Sequence, residues 1–352
     1  MAMLRKVKPK SQSVFESWAT EYEMTNHKNF NIQGLDGIRF GVENLEEALR
    51  FADDWGLTQV QSIQPDTYLF VTTDYSQIEV FQADLDDPNR TPIGNPSGMC
   101  EMIWGVADQA SLDAIADELA RDRDVHIDAD GTVHSHDDLG IKLAFRLAQR
   151  SYIPFSDTLF NSPSQPKRVN SRAPRYEKAQ PYEISHLAIG VDHAGEAVKF
   201  YLERLGFLVS DRYADRGVFI RCAVEGNHHH LFFMNGKAPG TRFNHLAFKV
   251  RDIHEVIFGG QHIDRQGWST FAGPGRHRVS SACFWYFLTP FGGAWEYAAD
   301  EDIVTAEWES TDFAAEAHIF TEWTFGLEKS DGTLRGPISQ SKAQALEDEH
   351  SS

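Results

Sequence analysis

Apolar and polar positions along the chain first alternate and then switch to helical spacing, and the same switch occurs twice with the same residues. The segments GLDGIRFGVENLEEALRFADDWGL (Gly34 to Leu57) and EISHLAIGVDHAGEAVKFYLERLGF (Glu183 to Phe207) each pass from a period of two into apolar residues three and four apart. Each predicts a strand followed by a helix. In the later copy Ala197, Val198, Tyr201 and Leu205 form the apolar stripe, and a glycine closes it. Gly41, Val42, Glu47, Ala48 and Phe51 recur as Gly190, Val191, Glu196, Ala197 and Phe200, 149 residues further on.

A shorter repeat lies inside the second half, where SHLAIGVD (Ser185 to Asp192) is echoed 59 residues later by NHLAFKVRD (Asn244 to Asp252). The first half has a weaker counterpart in EMIWGVADQASLDAIADEL, from Glu101 to Leu119. Short β-rich runs follow these starts, among them TYLFVTT, IEVFQAD, GVFIRCAV, HHLFFM, CFWYFLTP and GAWEYAA, with turn residues between them. The pattern predicts an α+β protein built from four β-α-β-β-β modules in two tandem domains. We place an extension at residues 1–30, a first domain at 31–165, a linker at 166–181, a second domain at 182–300 and a further extension at 301–352. The polar, proline-containing stretch from Asn161 to Pro181 sets the division. The first extension contains a candidate short helix, SVFESWATEYEMTNHKNF; the second starts aromatic, suited to packing on the second domain or a neighbouring subunit, and ends in a polar tail.

Charge narrows the choice of partners. The chain carries 33 basic and 52 acidic side chains among 352 residues, a formal charge of −19 that repels nucleic acid and anionic membranes. No apolar run approaches the ~18 residues needed to cross a bilayer, and the basic amino terminus has no apolar segment behind it. The expectation is a cytoplasmic protein with no membrane partner. Cys100, Cys222 and Cys283 are an odd, widely spaced set, which predicts core thiols rather than disulfides or a thiolate metal site.

Candidate chemistry comes from the repeat. His186 and His245 hold the same position in two repeated strands, and strand parity puts His186 with Ala188 and Gly190, and His245 with Ala247 and Lys249, each on one face. Pseudo-twofold packing of the two modules would bring both imidazoles into one concavity with small neighbours. Glu296, in the otherwise aromatic and small-residue strand of PFGGAWEYAAD, is a carboxylate that needs a cation or a strong donor if buried. Two histidines and a carboxylate form the ligand set associated with non-haem Fe(II), which leaves coordination positions open. Three consecutive histidines, His228, His229 and His230, also interrupt an apolar run.

With these residues in place, the sequence resembles the vicinal oxygen chelate superfamily, and within it the type I extradiol catechol dioxygenases, over roughly Gln33 to Asp300. The resemblance implies that each module pair forms an open cup-like sheet or barrel, and that His186, His245 and Glu296 hold Fe(II), with Mn(II) as the alternative. It implies a catecholic substrate, O2 as co-substrate, and a homo-oligomer. The first domain would lack metal, since Gly37 stands where His186 does and Glu101 where His245 does. The family's Arg-His-His run aligns with NHHHLFF and implies His229 as acid/base, although Asn227 replaces the arginine and a one-residue register shift would select His230. Parity, with His229 on the face of Leu231 and Phe233, favours His229. His277, Tyr286 and Glu296 follow the family's order and spacing, and imply that His277 and Tyr286 stabilise oxyanions by hydrogen bonds. Two rival readings stay open: a redox-neutral metal-dependent isomerase, lyase or transferase of the same superfamily, and a non-catalytic ligand-binding protein.

Overall fold

The computed structural model describes residues 29–325, apart from 62–65, 95, 152, 157, 174, 237–238 and 315–319. Except for Asn29 and Phe30, the helix expected near the amino terminus lies outside the described residues, as does the polar tail beyond 325.

Four modules of the predicted kind follow one another. The first two are β1 (Ile32–Val42), α1 (Leu45–Asp54), β2 (Thr58–Val60), β3 (Thr67–Val71) and β4 (Gln77–Gln82), then β5 (Gly98–Val106), α2 (Gln109–Leu119), β6 (His126–Ile127), β7 (Val133–His136) and β8 (Lys142–Leu147). They form one sheet in the order β2-β3-β4-β1-β5-β8-β7-β6. The third module is β9 (Glu183–Val191), α3 (Ala194–Leu205), β10 (Leu208–Tyr213), β11 (Gly217–Arg221), the two-residue β12 (Gly226–Asn227) and β13 (Leu231–Asn235). The fourth is β14 (Arg242–Lys249), α4 (Ile253–Arg265), β15 (Thr270–His277), β16 (Cys283–Leu288) and β17 (Ala294–Ala299). The second sheet repeats the order of the first, as β10-β11-β13-β9-β14-β17-β16-β15, with one further strand on each side. Those two strands, β19 (Thr311–Phe313) and β20 (Thr321–Thr324), come from the carboxy-terminal extension, and β18 (Ile303–Val304) pairs with β12. The extension therefore straps the second sheet from one side to the other.

Local chemistry explains the helix starts. Asn44, Asp108 and Asp252 each accept a hydrogen bond from a first-turn N–H, at 3.2, 2.8 and 3.0 Å, satisfying donors that the helix leaves unpaired. Gly206 ends α3 in the left-handed region, at φ +72°. Strand parity then sorts the side chains of β9: Leu187 and Ile189 enter the main core, while Ala188 packs in a separate cluster with Phe219, Phe232 and Val279.

The helix-side cores of the two sheets are one core. Trp55, the residue after α1, stacks on Tyr297 of β17 with ring centroids 3.7 Å apart, and the Tyr297 hydroxyl donates to the Trp55 carbonyl at 2.7 Å. Phe51 meets Trp295 edge-on at 5.3 Å. The segment before β9 is pinned in the same junction. A Cβ on Gly56, where φ is +98°, would lie 2.0 Å from the Ala179 carbonyl oxygen, so only glycine fits there. All three cysteines are buried and free.

A second contact between the domains carries a buried carboxyl. Asp137, between β7 and β8, accepts from the Tyr201 hydroxyl of α3 at 2.8 Å and from the backbone N–H groups of Leu139 and Ile141. Burial outweighs these bonds and pushes the Asp137 carboxyl up to about 6. A carboxyl raised in the folded state stabilises the fold below its unfolded value, and that stability is lost as pH rises through the folded one. Asp137 is thus expected to cost on the order of 3 kcal/mol as pH goes from about 4 to 7, through its folded value of about 6. In thermal melts across this range, Asp137→Asn should flatten the decline; an unchanged slope would remove Asp137 as its source.

Candidate metal centre

Sheet register assembles the site. His186 of β9 pairs with Ala247 of β14, Ala247 pairs with Glu296 of β17, and Glu296 pairs with Tyr286 of β16, so one row crosses four strands. His245 lies two residues before Ala247 and so projects from the same face, one row along. The methyl of Ala247 leaves the space between the flanking side chains. Into it converge His186 Nε2 and His245 Nε2, 3.3 Å apart, and Glu296 Oε2, 3.3 Å from the first and 3.7 Å from the second. These three form a group whose ligand atoms lie close enough together to hold one ion.

The electrostatics fit a cation. Glu296 is 0 % exposed, and neither of its carboxylate oxygens has a hydrogen-bond partner. Burial alone would raise its pKa, but the imidazoles of His186 and His277 outweigh that and hold the carboxyl below its usual range. Burial pushes His245 down to about 3, so it presents a neutral ring to a metal. The His186 and His245 rings are each steered through Nδ1, by Ser185 Oγ at 3.2 Å and Asn244 Oδ1 at 2.9 Å.

His277 and Tyr286 stand beside this group. His277 Nδ1 lies 3.1 Å from the Phe320 carbonyl, which can only accept, so Nδ1 carries a proton. His277 Nε2 lies 2.8 Å from the Tyr286 hydroxyl and 3.4 Å from Glu296 Oε1. Burial and the Glu296 carboxylate lift the Tyr286 hydroxyl well above its usual pKa, so it stays protonated. The arrangement brings together the two residues that the sequence reading pairs as donors. The residue that supplies the Phe320 carbonyl belongs to the carboxy-terminal extension.

His229 reaches the same place by a route different from the predicted one. His228, His229 and His230 lie not in a strand but in the bend between β12 and β13, so parity does not govern them. Leu231 and Phe233, the expected face-mates of His229, enter the main core, and Phe232 is the residue that faces the site's side of the sheet. The bend turns His229 onto His186, with ring centroids 4.0 Å apart. His230 turns away, towards Trp104 at 6.4 Å, and its Nδ1 accepts from the Cys222 N–H at 3.4 Å. Burial holds His229 well below its usual value and pushes His230 down to about 3.

Several neighbours were not anticipated. Glu301 follows β17, with Oε1 3.4 Å from His229 Nδ1 and Oε2 3.6 Å from Lys249 Nζ; Ser185 Oγ also donates to it at 3.2 Å. His186, His229 and Glu301 form a second group compact enough for an ion, but the Lys249 ammonium already supplies positive charge there. His228 Nε2 lies 2.7 Å from Asp211 Oδ2. Lys249 offered a signal for this network. It shares a strand face with His245 and Ala247, and a cation there needs a buried carboxylate.

In the first sheet the equivalent positions hold no such group. Register places Gly37, Glu101 and Ala144 where the second sheet has His186, His245 and Glu296. Glu101 is neutralised within the protein, by Arg39 Nη1 at 3.2 Å and His134 Nδ1 at 2.9 Å.

The second sheet, built from two β-α-β-β-β modules, thus carries two histidines and a glutamate on one face, grouped closely enough to hold one ion. Residues 183–297, about a third of the chain, match the model of the Glyoxalase/Bleomycin resistance protein/Dioxygenase superfamily. The chain is 33% identical to Metapyrocatechase 2 of Cupriavidus necator over 149 residues, which are 42% of this chain and 46% of that protein, so the match spans about half of the relative's length. The fold as a whole is that of the Mn(II)-bound glyoxalase from Novosphingobium aromaticivorans (TM-score 0.67, 19% identity, 86% of this chain and 94% of that one). It is equally that of BphC, a halotolerant catechol dioxygenase (TM-score 0.67, 18% identity, 88% of this chain and 99% of that one). Among the described residues no helix is long and apolar enough to cross a membrane.

Proposed function

We propose that the chain is an extradiol ring-cleaving dioxygenase that inserts both atoms of O2 into a catecholic substrate beside one hydroxyl-bearing carbon. The observation that carries this reading is the convergence of three proton-handling groups, His229, His277 and Tyr286, on the His186, His245 and Glu296 group. A redox-neutral superfamily enzyme needs a metal and one acid/base but has no use for the His277 and Tyr286 pair. A ligand-binding protein has no use for a buried Glu296 with both oxygens unpaired. The likeness to a metapyrocatechase and, in fold, to a catechol dioxygenase supports the same reading.

His186, His245 and Glu296 would hold Fe(II), with Mn(II) as the alternative. When bound, the ion would supply electron transfer and a common anchor for catechol and O2. The chain's own residues do the rest. His229, neutral by burial, accepts a proton from a substrate hydroxyl and later returns it. Tyr286, kept protonated and oriented by His277, donates to developing negative charge on substrate oxygen. The Phe219 and Phe232 rings, stacked at 4.0 Å, keep water from His229, which Phe219 meets edge-on at 5.0 Å.

Protein reconstituted anaerobically with Fe(II), or separately with Mn(II), should consume one O2 per catechol and form a ring-opened semialdehyde, read with an oxygen electrode and by mass spectrometry of the product. Catechol turnover to a quinone, or no oxygen uptake with either metal, would overturn the reading. Cytoplasmic location and homo-oligomerisation belong to the same proposal, and sedimentation of the purified protein tests the second.

A further inference from the structure

We propose that Asp211, acting through His228, is the positioning residue that fixes which nitrogen of His229 carries its proton. The inference rests on the reading of His229 as the acid/base and goes beyond it, to residues outside the metal centre and its family alignment.

The argument starts from hydrogen-bond inventory. An ionised carboxylate only accepts, so Asp211 Oδ2, 2.7 Å from His228 Nε2, receives the proton of that nitrogen. In the proposed relay His228 is a singly protonated ring, which leaves only a lone pair on its Nδ1. That lone pair faces His229 Nδ1 at 3.0 Å, and two lone pairs cannot face each other at that distance. His229 must therefore carry its proton on Nδ1, which leaves its Nε2, across the ring, as the free base. The Asp211 carboxylate thereby determines the tautomer two rings away. Glu301 Oε1, at 3.4 Å from the same Nδ1, is compatible with this tautomer but stands farther off than His228.

The relay is held rigidly. Asp211 is 2 % exposed and His228 is 0 % exposed. The second oxygen of Asp211 accepts from the Thr311 N–H at 2.7 Å, and the His228 carbonyl accepts from the Ser210 hydroxyl. Trp308 packs edge-on against the His228 ring, with centroids 5.4 Å apart, and its Nε1 donates to the Ser210 carbonyl at 3.0 Å. Both Trp308 and Thr311 belong to the carboxy-terminal strap, which thereby fixes the far end of the relay.

Asp211→Asn tests this with little change of shape. An asparagine whose carbonyl oxygen stays on Thr311 N–H turns its NH2 toward His228, which must then accept at Nε2 and carry its own proton on Nδ1. That proton would take the place of the one on His229. In ¹⁵N-histidine NMR of the metal-free protein, the wild type should show His229 protonated on Nδ1, and Asp211→Asn should move the proton to Nε2. Glu301→Gln should leave it on Nδ1. With iron loaded and its stoichiometry verified, Asp211→Asn should lower kcat about 10- to 100-fold with little change in the KM for catechol, the size seen when a group orienting a site histidine is lost. A wild-type spectrum with the His229 proton on Nε2 overturns the proposal, and that result needs no variant to fold. So does a proton moved by Glu301→Gln but not by Asp211→Asn, or a kcat for Asp211→Asn within twofold of wild type. If the tautomer shifts as stated while iron-loaded wild type leaves catechol intact, the relay stands and the dioxygenase reading falls.

Discussion

Glu296→Ala is expected to abolish stoichiometric iron binding and to lower catechol turnover by more than the about 10- to 100-fold typical of losing a group behind a ligand. The reason lies in the charge balance of the site. Of the three groups that would hold the ion, only the carboxylate brings negative charge to offset it. His186→Ala and His245→Ala should also lose iron, each leaving two ligands. Glu101→Gln, at the equivalent place in the first sheet, should keep full iron, since Glu101 is neutralised by Arg39 and His134. Metal analysis and calorimetry of these variants check the set. Full iron in Glu296→Ala would take that residue out of the ligand group.

His229→Phe should keep iron and catechol binding and lose turnover by about 10² to 10⁴, the usual worth of a positioned acid/base. Phenylalanine preserves the ring that lies 4.0 Å from His186 and edge-on to Phe219, so packing survives while both nitrogens go. His230→Phe should cost stability rather than chemistry, because His230 faces Trp104 and accepts from the Cys222 N–H, away from the metal group. Steady-state rates at saturating catechol and oxygen, with iron measured for every variant, decide between them. Normal turnover in His229→Phe with a stalled His230→Phe would reverse the assignment.

The repeat made the modules legible, because a strand and helix that recur with the same apolar spacing must bury the same face each time. It also exposed His186 and His245, whose shared position puts them on one concave face, and Glu296 stood out as a charge in an apolar strand. Asp211 and Glu301 were not visible in the same way. Asp211 sits in a strand where an acidic residue reads as solvent-facing, and the partner of its second oxygen, Thr311, is a hundred residues away. Glu301 lies among Asp300 and Asp302 and reads as part of a solvated acidic turn. The bend at His228 to His230 was misread because period-two parity assumes an unbroken strand, whereas β13 begins only at Leu231.

The carboxy-terminal strap has a consequence for how molecules of this protein meet one another. A sheet ends in rows of unpaired N–H and C=O groups that can template pairing with another chain, and proteins shield such rows or keep them short. In the second sheet, β10 and β15 would present these rows, but β19 and β20 cover them and leave three- and four-residue strands outermost. The first sheet ends in β2 and β6, only three and two residues long. Removing the strap would uncover longer strands at both ends of the second sheet, giving a chain prone to strand-mediated aggregation.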